Sequence, residues 1–135
     1  MKSYFKALSA NTRDMRTGIF FQVQSGTKTK SYIFNVPDGF NRLNITKSKI
    51  FQVGTAETIF ISSLKPDYFG GYPSFLLTHK LKHNTHEGKN YGQSSLIGPE
   101  GIRDRIIASR YFMGHLIDDL RVVEMTQDVA KSEQP

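Results

Sequence analysis

Three histidines, His79, His83 and His86, form an H-x3-H-x2-H pattern. The first pair has the i, i+4 spacing that sets two imidazoles on one helix face, where they could hold a metal ion. Only Glu87 stands close by as an acidic ligand or general base. The run from Lys82 to Gln93, with Gly88 and Gly92, favours a solvated basic loop instead. His115, directly after Gly114, suits a helix C-terminus, where a cation meets the dipole. A second group comprises Ser63, Lys65, Asp67 and Tyr68, just behind the apolar run Ile59-Phe60-Ile61. A third is Asn11-Thr12-Arg13-Asp14 with Arg16. Arg13 and Arg16 could pair with phosphates, or Arg13 and Asp14 could form a loop salt bridge. Lys80, Lys82 and Lys89 add cations within reach of an RNA backbone.

The 135 residues contain no cysteine, which excludes disulfides, thiolate metal sites and a cysteine nucleophile. No Gly-x-Ser-x-Gly, P-loop, Gly-x-Gly-x-x-Gly or RNA-recognition signature occurs. Length allows one domain. An aromatic content of 12% argues for a folded chain, since disordered chains are poor in rings. The net charge of +6 is uneven: residues 1–49 hold nine Lys/Arg against two Asp, and residues 93–135 hold five against seven acids. A basic amino-terminal half is compatible with a polyanion such as RNA, or with a solvated lysine-rich surface. No apolar stretch approaches the ~20 residues of a membrane span, and the amino-terminal residues lack a secretory h-region. The expectation is an intracellular protein, nuclear or mitochondrial.

The elements that must position these groups follow from periodicity. Residues 3–9, Thr17 to Gln24 and Lys30 to Val36 read as strands, with Ser25-Gly26-Thr27-Lys28 as a hairpin turn. A short helix opens near Asp38, carrying Phe40 and Leu43. Glu57 to Ser62 suits a buried central strand. Ser63 to Gly71 reads as a loop, and Tyr72 to Leu81 as a helix with Pro73 in its first turn. Ser94 to Ile97 is a short strand. Pro99 to Met113 is predicted as one helix, with Ile102, Ile106, Ser109 and Met113 on one face and Ile107, Tyr111 and Phe112 widening it. Asp119 to Met125 is the last strand, and residues 126–135 read as a flexible tail. The order predicts an α+β or α/β mixed sheet with helices on one face. The other face needs a cover, which nothing after Met125 supplies.

The segment from Ile59 to Pro73 resembles the strand and Gly-rich turn of metallo-β-lactamase-fold hydrolases, where the strand ends in His-x-His-x-Asp-His. Ser63, Lys65, Asp67 and Tyr68 occupy those four places. Tyr32 to Leu43, with Asn35 and Asp38-Gly39, is similar to the strand and glycine-bearing turn of the ribonuclease Z (tRNase Z) family. Leu96-Ile97-Gly98-Pro99-Glu100-Gly101-Ile102 resembles that family's Gly-Pro-x-Gly turn ahead of a helix, and Ala10 to Asp14 sits where its first loop lies. The four pieces run in family order over about residues 4–125, within a domain taken as residues 1–125, and resemble the amino-terminal half of the long form, which has lost its metal motif.

A two-zinc hydrolase needs neutral imidazoles and carboxylates around its metals. Lys65 places a positive charge where a lone pair should stand, Ser63 is a short and weak donor, and Tyr68 keeps its proton near neutral pH, with an ordinary pKa of about 10. Asp67 alone cannot hold a catalytic zinc, and its plainer role is a cap or turn residue just before the Tyr72 helix. The expectation is no cofactor, no metal and no hydrolysis. The resemblance implies half of an αββα sandwich docked on an active lactamase-fold partner that cuts tRNA 3′ ends. The alternatives are a pseudoenzyme reused as a structural subunit of a larger, mitochondrial assembly, or a hydrolase built on His79, His83 and His86.

Overall fold

A computed structural model describes residues 2–7, 16–46, 56–84, 94–114 and 120–126. Among these residues six strands form one sheet in chain order: β1 (Lys2–Ala7), β2 (Ile19–Ser25), β3 (Lys28–Phe34), β4 (Ala56–Phe60), β5 (Ser95–Pro99) and β6 (Arg121–Met125). The first three strands pair antiparallel, and β3 through β6 pair parallel. The helices fall in the parallel half: α1 (Phe40–Thr46) between β3 and β4, α2 (Pro66–Phe69) and α3 (Tyr72–Asn84) between β4 and β5, α4 (Ile102–Ala108) and α5 (Arg110–Met113) between β5 and β6. This arrangement follows from connection length. Gly26, at φ 60°, closes the β2–β3 hairpin, whereas parallel neighbours need a helical crossover.

The two sheet faces differ. Phe20, Ile33, Ile59 and Leu96 are register neighbours on one face, all buried. Phe40 from α1, Tyr72, Phe75 and Leu76 from α3, and Ile102 and Ile106 from α4 join them in one core cluster. The opposite face carries an apolar row that crosses all six strands in register: Ala7, Ile19, Phe34, Phe60, Ile97 and Val123. None of these six is buried, and Phe34 is 38% exposed. The expected mixed sheet with helices on one face is therefore the observed one.

Three expectations need correction. The stretch from Pro99 to Met113 is not one helix. It opens at Ile102 and is interrupted at Ser109, whose hydroxyl donates to the Arg105 carbonyl at 2.8 Å. Such back-bonding perturbs helices, and α5 starts again at Arg110. Ile102, Ile106 and Met113 are buried as expected, but Ile107, Tyr111 and Phe112 do not widen the buried face: Tyr111 is 96% exposed. Within the segment read as a loop, Pro66 to Phe69 forms one helical turn. The helix expected to end at Leu81 runs on to Asn84, so residues 82–84 of the expected Lys82–Gln93 loop are helical. The rest of that loop, the first loop at Ala10 to Asp14, and all of the expected tail 126–135 but Thr126 lie outside the described residues. Among the described residues no helix is long and apolar enough to cross a membrane.

Candidate functional site

The carboxyl ends of β3, β4 and β5 lie side by side, so the three turns that leave them meet at one rim of the sheet. Asn35, directly after β3, adopts φ 61°, a left-handed conformation that asparagine tolerates better than most side chains. Its N–H donates to the Phe60 carbonyl at 2.7 Å. Its Oδ1 accepts the Ser62 N–H at 2.8 Å and the Ser62 hydroxyl at 3.0 Å. One side chain thus ties the turn after β3 to the turn after β4. The residue type before Val36-Pro37 hinted at a turn, but nothing in the sequence pointed to Ser62 as its partner.

Backbone bonds complete the rim. Val36 N–H donates to the Tyr68 carbonyl at 2.8 Å, and Gly71 N–H to the Val36 carbonyl at 2.9 Å. A Cβ on Gly71 would collide with the Pro37 carbonyl oxygen, so this close approach requires glycine. The Asp38 carboxylate accepts the Gly39 N–H at 2.9 Å, in the turn that opens α1. Leu64 reaches from the β4 turn to Gly101 in the β5 turn.

Of the four residues behind the β4 strand, Ser63 and Lys65 lie in the turn that leaves it, and Asp67 and Tyr68 in α2. The Ser63 hydroxyl accepts the Lys65 N–H at 3.3 Å, which uses it as a turn former. Lys65 is exposed and precedes α2 at its N-cap, with no side-chain cap. Asp67 lies in the first turn of α2, not beside Tyr72 as a cap, and its carboxylate pairs with Arg16 Nε at 3.4 Å. Both partners are about half exposed, so solvent screens the pair. Tyr68 is half-buried. This set offers one carboxylate, already ion-paired, and no imidazole. It does not fit the donor requirements of a zinc hydrolase. Among the described residues no cluster of three His, Asp or Glu side chains could hold a metal.

The other candidates separate. His79 is buried in α3 and packs on the Phe75 ring at 5.5 Å, as a core residue does. His86, His115, Arg13 and Lys89 lie outside the described residues, as do the side chains of Lys80, Lys82 and His83. Arg16 is the one proposed RNA contact that is described, and it reaches the turn through Asp67.

No protein-family model matches the sequence, and no curated protein sequence does. Solved structures do match. Human tRNase Z, short form, superposes with a TM-score of 0.65 at 21% identity, covering 94% of this chain and 48% of its own. The metallo-β-lactamase fold protein YhfI from Bacillus subtilis gives a TM-score of 0.64 at 9% identity, covering 93% and 48%. The fold is metallo-β-lactamase-like. The chain spans about half the length of each of these lactamase-fold structures. In this lactamase-like sheet, the turns around Asn35, Ser62 and Gly71 hold their shape by hydrogen bonds and close packing between backbone groups.

Proposed function

We propose that this chain is a non-catalytic, tRNase Z-like half-domain that packs on an active metallo-β-lactamase-fold partner and supports tRNA 3′-end processing. The observation that carries the reading is the turn after β4. Ser63, Lys65, Asp67 and Tyr68 stand where the resemblance places metal ligands, yet Ser63 shapes the turn and Asp67 pairs with Arg16. The lactamase-like fold and its similarity to a tRNase Z of twice the length support the choice of family. The amino-terminal half of the long form, which lacks a metal motif, fits both features.

The test mixes the purified chain with an active tRNase Z carboxy-terminal half and follows cleavage of a precursor tRNA. A higher cleavage rate together with a complex on a sizing column is the expected result. No gain in rate and no complex would overturn the proposal. Chain-dependent cleavage without the partner would contradict the non-catalytic role.

A further inference from the structure

The β2–β3 hairpin ends in a run with neither an acid nor an apolar side chain. Residues 24–30 are all exposed and consist of Gln, Ser, Gly, Thr and Lys alone. They reach past the neighbouring strand, since among the described residues β3 pairs with β4 only from Ser31 on. A Cβ on Gly26 would meet no atom within 4 Å, so the turn stands clear. Lys28 and Lys30 share the helix-free face, because they alternate with Ser31 and Ile33, which are buried on the other. Lys2, in register with Gln24 and through it with Thr29, belongs to the opposite face of the same end. The ribbon thus carries cations on both faces, with hydroxyl side chains between them. Strands β1 to β3 contain no Asp or Glu. The acid that the register brings closest is Glu57, exposed on β4 between the partners of Ser31 and Tyr32. Against Lys2, Lys28 and Lys30 it leaves a surplus of two positive charges. Among the described residues it forms no ion pair with Lys28 or Lys30.

We propose that this hairpin tip binds the sugar-phosphate backbone of RNA, with Lys2, Lys28 and Lys30 on phosphates and the Ser25 and Thr27 hydroxyls as further donors. This rests on the function proposed above and names where the chain touches its RNA. Two features favour that ligand. Lys28 and Lys30 stand two residues apart on one strand face, about 6–7 Å, close to the step between successive phosphates of an RNA strand. Ammonium and hydroxyl groups are also the donors that phosphates take. A protein interface is built around an apolar core, and a membrane-binding surface inserts apolar side chains; residues 24–30 offer neither. The tip has no ring to stack on a base, so the contact positions RNA and does not read its sequence. The length of β3 separates Lys28 from the Asn35–Ser62 rim by about 20 Å, so the RNA held here lies well away from the turn after β4.

The experiment titrates the purified full chain into a fluorescein-labelled precursor tRNA and follows anisotropy from about 50 to 200 mM KCl. Lys2→Gln/Lys28→Gln/Lys30→Gln is expected to weaken binding at least about tenfold at the lowest salt. The slope of log affinity against log salt becomes shallower by about 2–3, roughly one unit per phosphate contact. Arginine at the same three positions restores both. Lys65→Gln/Arg105→Gln, which neutralises exposed cations elsewhere, leaves the slope unchanged. The three lysines have no side-chain partner among the described residues, so the variants should melt with the parent chain and lost binding is not lost folding. No binding of RNA at low salt, an unchanged slope in the glutamine variant, or an equal loss in the control overturns the proposal. So does tighter binding to polyglutamate or to phosphatidylserine vesicles than to RNA. The two proposals fail separately. A glutamine variant that stimulates precursor tRNA cleavage at the original KM removes the contact and leaves the function. Hairpin-dependent RNA binding with no gain in cleavage removes the function and leaves the contact.

Discussion

Glu124 on β6 accepts the backbone N–H of Arg103 at 3.0 Å, while the Arg103 guanidinium donates to the Val122 carbonyl at 3.2 Å. The same carboxylate oxygen accepts the Gly101 N–H at 3.1 Å. One acid from the last strand therefore caps α4, which has no capping side chain of its own. Its negative charge also faces the positive end of the helix dipole.

Replacing this acid should loosen β6 and α4 together. Glu124→Ala is expected to cost about 1–2 kcal/mol, the usual loss for a charged cap. Urea unfolding followed by far-UV circular dichroism measures it. Glu124→Gln keeps an acceptor oxygen and should recover part of the loss. Equal losses in the two variants would show that charge alone carries the contact.

Gly71→Ala should be among the most damaging single-carbon additions in the chain. The added Cβ meets the Pro37 carbonyl, which is backbone and cannot turn aside. Overpacking of this kind costs about 1–3 kcal/mol, and it strikes the bond that ties Gly71 N–H to Val36. Gly26→Ala serves as the comparison. It meets no neighbour and is strained only by its positive φ. Thermal melts of the two variants should rank Gly71→Ala lower.

The Tyr72 hydroxyl is buried with no hydrogen-bond partner among the described residues. Burial pushes its pKa well above the ordinary value of a phenol. The folded state thus keeps this proton at pH values where the unfolded chain releases it. The stabilisation is fully present below about pH 10 and falls as pH rises above it, by up to about 1.4 kcal/mol per pH unit for one proton. Tyr72→Phe removes that slope. It also removes an unsatisfied hydroxyl, so stability at pH 7 should hold or rise by up to about 1 kcal/mol. A loss of more than that would reveal a partner for the oxygen.

The donor set after β4 predicts indifference to metal. A ligand that binds the folded state stabilises it with the logarithm of its excess over Kd, and so raises the melting temperature. Zinc, manganese or a chelator should leave the melting temperature within about 1 °C. Elemental analysis of the purified chain should find no stoichiometric metal. Arg16→Ala and Asp67→Asn should each cost less than about 1 kcal/mol, as expected for an exposed ion pair.

The sequence reveals the sheet more clearly than the helices. Alternation marks β2 and β3, and Ser25-Gly26-Thr27 marks their turn within a residue or two. Helix α4 was legible through Ile102 and Ile106, but its end was not. Ser109 is compatible with a helix by propensity, and only its bond to Arg105 interrupts it. Ile107, Tyr111 and Phe112 misled because, at 100° per residue, they lie beside or opposite the face of Ile102, Ile106 and Met113, and an apolar type alone does not turn a side chain inward. The turn residues of the site were visible as a pattern of types, since Ser63, Asp67 and Gly71 are local turn formers. The bonds of Asn35 with Ser62 and of Glu124 with Arg103 span 27 and 21 positions, and no local pattern encodes them.

Each strand lies beside the one that precedes it in the chain, from β1 through to β6. As the polypeptide leaves the ribosome, every new strand finds its hydrogen-bonding neighbour already made. The tight β2–β3 hairpin can form within microseconds, and each later strand joins after only one crossover has closed. The strand order thus permits the sheet to grow from its amino-terminal strands, with β6 and its cap on α4 free to close it last.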